Sequence, residues 1–413
     1  MSAITNKELP TRLIAIDAIG EQNRNIPAGA PMPSASLCQA GTAMHGCQHP
    51  LLVPREIICS FDSLYNAMLR CRQNVMWKDS TAGYVANGLT NIVKLRNGLL
   101  NEQYSMDKYA IFYIYEPKLR KIVSTRIKDR VFQRSLCDNY FYDEMTKHFI
   151  YDNCACQNNR GTDFALNRLK RHLQHFNRRH GTQGWVYKFD IHDYFGKTKH
   201  AVAINAVEKR VSDEWVIGHV KVIVRSFNQG EALDTGMGLG SQITQIIELA
   251  VLDDMDHFIK EELKIKYYVR YNDDFILIHQ DKEYLKYCRK RIEEKLVGLG
   301  LTLNEKKSQL YSVTNRIRFL GFSYQLKQSG KVVMRILPEN VKKERRKLKK
   351  LVGRVAQGYM TRRDVDECYT SWKAHAKRGD THNEILKMDA YYKSLWKEYY
   401  HVQLQRYQGA VTG

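Results

Sequence analysis

Two stretches of the chain run apolar and β-prone up to an acid. Gly184-Trp185-Val186-Tyr187-Lys188-Phe189-Asp190-Ile191-His192-Asp193-Tyr194-Phe195 reads as a strand that ends at Asp190 and passes into aromatic and polar residues. Tyr268-Val269-Arg270-Tyr271-Asn272-Asp273-Asp274-Phe275-Ile276-Leu277-Ile278 reads as a strand, a two- or three-residue polar turn and a second strand. Asn and Asp tolerate turn backbones that Val and Ile resist. Such a hairpin would carry Asp273 and Asp274 to the edge of a sheet. Helical periods appear elsewhere. One opens at Phe61-Asp62-Ser63-Leu64-Tyr65-Asn66-Ala67-Met68. A second covers Gly161 through Arg171, with Thr162 or Asp163 placed to cap it, and a third runs from Ile246 through Glu262. In a fourth, Val341 through Arg354, the residues Val341, Leu348, Val352 and Val355 share one face. Tyr369 through Lys377 is a later amphipathic segment.

An Asp-Asp pair in a tight turn is ordinarily solvated turn chemistry. A third carboxylate in the same kind of setting changes that reading. Hard divalent cations are held by carboxylate oxygens, and two of them about 3.5–4 Å apart need more oxygens than one hairpin supplies. An acid ending a neighbouring strand, Asp190, could complete the set.

The two acid-bearing segments resemble motifs A and C of a reverse transcriptase: an aspartate five residues before an aromatic, then Tyr-x-Asp-Asp. The resemblance implies that Asp190, Asp273 and Asp274, with the backbone carbonyl of Ile191, hold two Mg²⁺ ions, for which Mn²⁺ could substitute. Phe195 falls on the family's sugar-gate position, which implies a preference for deoxynucleotides, with Asp193 beside it at the nucleotide. Pro117-Lys118-Leu119-Arg120-Lys121 and Arg126 through Gln133 resemble the early fingers motifs, so Lys118 and Arg120 would face the triphosphate. Gly236-Met237-Gly238-Leu239-Gly240-Ser241-Gln242-Ile243-Thr244-Gln245 resembles motif B, bringing Gly240 and Gln245 to the nucleotide. Leu301 through Ser308 resembles motif D, with Lys307 near the leaving group. Arg318-Phe319-Leu320-Gly321-Phe322 resembles the primer grip, carried by Phe319, Leu320 and Gly321, with both phenylalanines reading equally well as core. The resemblance covers residues 60–330 and, more loosely, part of the remaining chain. It implies an α+β right-hand polymerase fold: fingers, a palm with an antiparallel sheet, and a helical thumb. The implied divisions are an irregular N-terminal extension at 1–60, fingers at 61–185, palm at 186–330 and a basic thumb at 331–413.

Composition sharpens the choice of partner. Lys plus Arg number 65 against 44 Asp plus Glu in 413 residues, a net charge of +21. So basic a chain wants a polyanion, with an affinity that falls with salt. Seven of the ten residues from Val341 to Lys350 are Lys or Arg. In a polymerase thumb Lys342, Lys343, Arg345, Arg346, Lys349 and Lys350 would follow the nucleic acid. The 25 tyrosines, many interleaved with cations, suit stacking on unpaired bases. No stretch approaches the roughly 18 consecutive apolar residues of a membrane span. Nine irregularly spaced cysteines give no disulfide framework, and Cys154-Ala155-Cys156 lacks metal-site spacing. Six of the eight prolines lie in the first 54 residues, which reads as irregular chain. A cytoplasmic location is expected.

Taken together, the motifs point to an RNA-directed DNA polymerase that uses dNTPs, an RNA template and two metal ions to make cDNA. In motif B an aliphatic residue precedes the glycine and a Gln closes the run. That resembles diversity-generating retroelement enzymes and the bacterial defence-associated group, from both of which Thr244 departs, since they carry Ser there. The extension and the thumb-like tail favour the antiphage group, copying a structured partner non-coding RNA. The diversity-generating reading, mutagenic copying of a template repeat, stays close behind. A catalytically idle RNA-binding module on the same fold is a third reading, against which the intact acids and sugar-gate aromatic count.

Overall fold

The structure, a computed structural model, describes residues 53–115, 119–227, 234–238 and 240–411. Most of the N-terminal extension, Lys118 of the fingers motif and Leu239 of motif B therefore lie outside the described residues. The fold is a right-hand polymerase fold of helices around three antiparallel sheets. A hairpin comprises β1 (Ala110–Ile114) and β2 (Arg120–Ser124). The central sheet contains β3 (Trp185–Asp190), β4 (Tyr267–Tyr271), β5 (Asp274–His279) and β6 (Gln309–Ser312), in the order β4-β5-β3-β6. A third sheet holds β7 (Ile317–Phe319), β8 (Phe322–Leu326) and β9 (Val332–Ile336).

The central strands are apolar on both faces because both faces are covered. Alternate side chains divide between two cores, as the period of two requires. Tyr187, Phe189, Tyr268, Phe275 and Leu277 join the core formed with the N-terminal helices and the helices between β3 and β4. Val186, Tyr267, Val269, Ile276 and Ile278 face the other way, against the helix Thr162–His180 and the third sheet. That helix buries Leu166, Leu169, Leu173 and Phe176, an i, i+3, i+7, i+10 stripe, under the sheet. It therefore packs on the central sheet, whereas the expected division put residues up to 185 with the fingers. Its N-cap is Gly161 with no side-chain cap bond, so neither Thr162 nor Asp163 caps it; Asp163 pairs with Arg378 instead.

Other boundaries shift for similar packing reasons. Irregular chain was expected to residue 60, but a helix opens at Pro54, where proline's fixed φ suits the first turn, and Ile58 and Cys59 are buried. The helix Phe61–Cys71 comes next, capped by Ser60 Oγ accepting from Ser63 N. The expected helix 246–262 is broken into Gln242–Val251, Asp253–His257 and a π-helical turn, Phe258–Glu262. The change from sheet to helices comes after Ile336 rather than at 330, because β9 completes the third sheet. Three helices then pack on one another, Pro338–Ala356, Arg362–Ala376 and His382–Val411, around Leu348, Val352, Tyr369, Met388 and Trp396. Thr361 and Asp364 form a capping box at the second of them. Among the described residues no helix is long and apolar enough to cross a membrane.

Candidate active site

The carboxylates converge through strand pairing. β3 and β5 are adjacent antiparallel strands, and their register sets Asp190 opposite Asp274. Directly opposed residues lie about 5 Å apart at Cα. Tyr271 pairs with Asp274, so β4 and β5 are joined by a two-residue loop, Asn272-Asp273, with Asn272 at φ 53°. The acids thus stand at one end of the two central strands, not at a sheet edge as the hairpin alone suggested. Burial is what holds them there. Phe189 and Phe275 stack with ring centroids 4.4 Å apart directly behind the two paired acids.

Each paired acid carries a lysine. Lys307 Nζ donates to Asp190 Oδ2 at 2.7 Å, and Asn304 Nδ2 donates to Oδ1 at 3.1 Å. Lys188 Nζ lies 2.8 and 2.9 Å from the two oxygens of Asp274 and also donates to the Arg318 carbonyl at 2.7 Å. Burial, the charge of Asp190 and that of Asp274 push the Asp273 carboxyl up to about 6. Asp274 is also raised, by burial, with Lys188 opposing the shift. Ile191 bridges Leu303 in the mode where its neighbours make the bonds: His192 N to Thr302 O and Asn304 N to Asp190 O. The Ile191 carbonyl is therefore turned away from that segment.

Among the described residues no three His, Cys, Asp or Glu side chains close into a metal cage, and Lys188 and Lys307 pair with two of the acids. The donor set nonetheless suits a hard divalent cation: three carboxylates and a carbonyl turned free of the ladder. Asp274 Oδ1 is buried and lacks a well-aligned hydrogen bond even with Lys188 beside it.

The glycine-rich segment from Gly236 and the segment around Phe195, expected to form motif B and the sugar gate, meet each other through backbone hydrogen bonds. Asp193 has φ 47° and starts the short helix Tyr194–Lys197. Phe195 is half-buried, edge-on to Tyr194 at 5.7 Å, and its carbonyl accepts from Met237 N at 2.7 Å. Gly240 has φ 103°, a backbone closed to most side chains. Ser241 then opens the helix Gln242–Val251, in which Gln245 is half-buried. The Thr244 hydroxyl donates to the carbonyls of Gly238 and Ser241 while its methyl is buried, so threonine keeps the bonds that serine would make and adds packing.

The segment expected to form the primer grip is a hairpin. Phe319 pairs with Phe322 across the loop Leu320-Gly321, with φ 45° and 83°. Positive φ at both loop residues is the type I′ pattern that matches strand twist, and a leucine there is strained. Both phenylalanine rings are buried in the core, so the turn presents backbone rather than rings. Arg120 begins β2. Lys342, Lys343, Arg345, Arg346, Lys349 and Lys350 are all exposed on the helix Pro338–Ala356, whose buried face is Glu344, Leu348, Leu351 and Val352.

Several side chains escaped the reading of the sequence. Lys188 sits two residues before Asp190, on the same strand face; the period of two was the available signal. Arg270 is fully buried beneath the acid-bearing loop. It donates to Asp256 Oδ1 and Oδ2 at 2.7 and 2.5 Å, to Leu249 O at 3.1 Å and to Asn272 O at 3.1 Å. Burial alone would lower the guanidinium's pKa, but the Asp256 carboxylate holds it above its ordinary value. Cys156, at φ 52°, places Sγ 3.7 Å from Gln245 Oε1 and 3.9 Å from Asn272 Oδ1. It gets there because Asn153 bridges Arg270, a contact without a local signal.

Glu248 lies fully buried on the motif B helix, with Thr198 Oγ1 donating to Oε2 at 3.0 Å and Oε1 unpartnered. Burial pushes its pKa from 4.5 up to about 8. A carboxyl raised by folding gives most stability below its unfolded pKa, and that stability is lost as pH rises toward the folded value. Glu248→Gln is therefore expected to raise the melting temperature little at pH 5 and by several degrees near pH 8. A gain that is the same at both pH values would contradict this.

Residues 116–324, about half of the chain, match the family described as reverse transcriptase (RNA-dependent DNA polymerase). The chain belongs to the reverse transcriptase family. No curated protein sequence matches it. Solved structures of telomerase are similar to this reverse transcriptase. The apo telomerase of Candida tropicalis is 13% identical with a TM-score of 0.42, over 55% of this chain and 48% of that one. The telomerase of Candida albicans, in complex with a fragment of telomeric RNA, is 10% identical with a TM-score of 0.43, over 65% and 55%. A C. tropicalis telomerase truncated from its C-terminal domain is 13% identical with a TM-score of 0.42, over 59% and 60%. The matches thus span about half to three fifths of those chains.

Proposed function

We propose that this reverse transcriptase is an RNA-directed DNA polymerase that extends a primer 3′ end with deoxynucleotides along an RNA template. The observation that carries the reading is the pairing of Asp190 with Asp274, with Asp273 one residue away, at one end of the central strands. Asp190, Asp273, Asp274 and the Ile191 carbonyl would hold two divalent ions, Mg²⁺ by preference and Mn²⁺ as a substitute. When bound, these would supply an activated 3′-hydroxyl and neutralisation of the departing pyrophosphate.

The chain's own residues do the rest. Lys188 and Lys307 each pair with one acid and so offset the repulsion between the facing carboxylates. Lys307, Lys118 and Arg120 would then turn to the triphosphate. Asp193, Gly240 and Gln245 would frame the nucleotide. The backbone of Phe319, Leu320 and Gly321 would hold the primer end, and the six exposed cations from Lys342 to Lys350 would hold the nucleic-acid backbone. Residues 61 to about 160 would act as fingers, the helix Thr162–His180 with the sheets from Trp185 to Ile336 as the body of the palm, and the C-terminal helices as thumb. The partner RNA is a structured non-coding RNA copied in antiphage defence, a reading supported by the thumb-like C-terminal helices, since motif B fits this group and its competitor alike. Mutagenic copying of a template repeat is the competing assignment, and sequencing the cDNA that copurifies with the protein separates them.

The direct test is extension of a DNA primer on an RNA template by the purified protein. Phe195→Val is expected to raise the use of ribonucleotides relative to deoxynucleotides about tenfold, read as the ratio of kcat/KM values. No extension with either cation would overturn the polymerase reading; an unchanged ratio would remove Phe195 from the sugar gate.

A further inference from the structure

The third sheet has two faces with opposite character. Phe322, Tyr324, Leu326, Val332, Met334 and Ile336 fill the core against the central sheet. Ser323, Gln325, Val333 and Arg335 alternate with them and line the opposite face. That face, together with the first turns of the helix Pro338–Ala356, encloses a cavity of about 480 Å³. Five cations surround it, Arg316, Lys327, Arg335, Lys342 and Arg345, against one acid, Glu384. Among the described residues none of the five makes an ion pair: Lys327 donates to the Gln325 amide and Arg345 lies over the Tyr391 ring. A second cavity of about 520 Å³ shares Arg335 and Glu384 with it and adds His382 and Lys387 against one further acid, Asp380, whose carboxylate already accepts from Met334 N at 2.9 Å.

From this we infer a second RNA site: the groove anchors a single-stranded segment of the RNA outside the stretch being copied. The inference rests on the polymerase reading for its RNA, but not for its chemistry. Uncompensated cations crowded into one groove repel each other, and a polyanion relieves that repulsion. Two adjoining cavities suit a polymer better than a lone phosphate. Val333 and Val341 give the first cavity an apolar floor, which an unstacked base can cover and a duplex, presenting only its backbone, cannot. The groove lies on the side of the third sheet turned away from the central sheet that carries Asp190 and Asp274, so RNA held here is not the strand at the acids. Lys342 and Arg345 of the thumb helix border both paths, whereas Arg316 and Arg335 belong to the groove alone. Arg318, which faces the same side, pairs with Glu339 and closes that end.

The test uses the full chain and the double variant Arg316→Ala, Arg335→Ala, both positions exposed. The probes are a labelled unstructured RNA of about 20 nucleotides and a short blunt RNA–DNA hybrid. The variant is expected to bind the single strand about tenfold more weakly, with a salt dependence shallower by about 1.4 in log–log slope, while hybrid binding changes less than twofold. Single-strand affinity within twofold of the unaltered protein would overturn the proposal. Equal losses on both probes would overturn it too, by assigning these cations to the duplex path. So would a poly-glutamate chain that displaces the RNA at equal charge, since the groove would then suit an acidic protein. If the unaltered protein fails to extend a primer while the binding results come out as expected, the polymerase reading falls and the groove stands.

Discussion

Asp274→Ala, and equally Asp273→Ala, is expected to lower nucleotide incorporation by roughly 10³-fold or more, the scale on which a preorganised electrostatic group counts. RNA binding should stay nearly intact, because the cations proposed to hold RNA lie on other elements. The two acids are not equivalent in their surroundings. Asp274 is half of a strand pair and is engaged by Lys188, whereas Asp273 is raised to about 6 by burial and its acidic neighbours. Asp274→Ala also releases Lys188, which then keeps only the Arg318 carbonyl. Asp273→Ala removes a like charge and should leave the protein as stable as before or more so. Single-nucleotide extension, filter binding and a thermal melt on each variant measure these three effects. The assignment would fail if a purified double variant incorporated nucleotide at the rate of the unaltered protein.

The second large effect is expected from a residue that touches no substrate. Asp256→Ala should destabilise the fold by about 3–5 kcal/mol, since it strands the Arg270 guanidinium, uncompensated, in the core. Arg270 also holds the Asn272 carbonyl, so the loop presenting Asp273 loses an anchor and incorporation should fall beyond what stability explains. The double replacement Asp256→Leu, Arg270→Met removes both charges and should recover much of the stability but not the activity. Denaturant midpoints and extension rates on the three variants separate the roles. If Asp256→Ala unfolds within about 1 kcal/mol of the unaltered protein, the buried pair is not what fixes the loop.

Much of this site was legible in the chain because its signals are local. A β-prone run broken by Asn272-Asp273 is a turn wherever it lies, since backbone preference acts on neighbours. The amphipathic period of the helix Pro338–Ala356 likewise exposes its cations whatever it packs against. The broken run from Gln242 to Glu262 was not legible, because the residues where it breaks are as helix-compatible as their neighbours and packing selects the breaks. Nor was the place of the helix Thr162–His180. Its stripe of Leu166, Leu169, Leu173 and Phe176 demands burial but does not name the surface that covers it.

The chain by itself determined which residues are acids, turns, strands and basic helices, and the order in which the motifs succeed one another. Tertiary structure alone decided that Asp190 faces Asp274, that Lys188 and Lys307 reach those acids, that Arg270 braces the loop and that Cys156 arrives beside it. Residues far apart in sequence meet only through sheet register and shared burial, and a period of two or 3.6 carries no information about its partner.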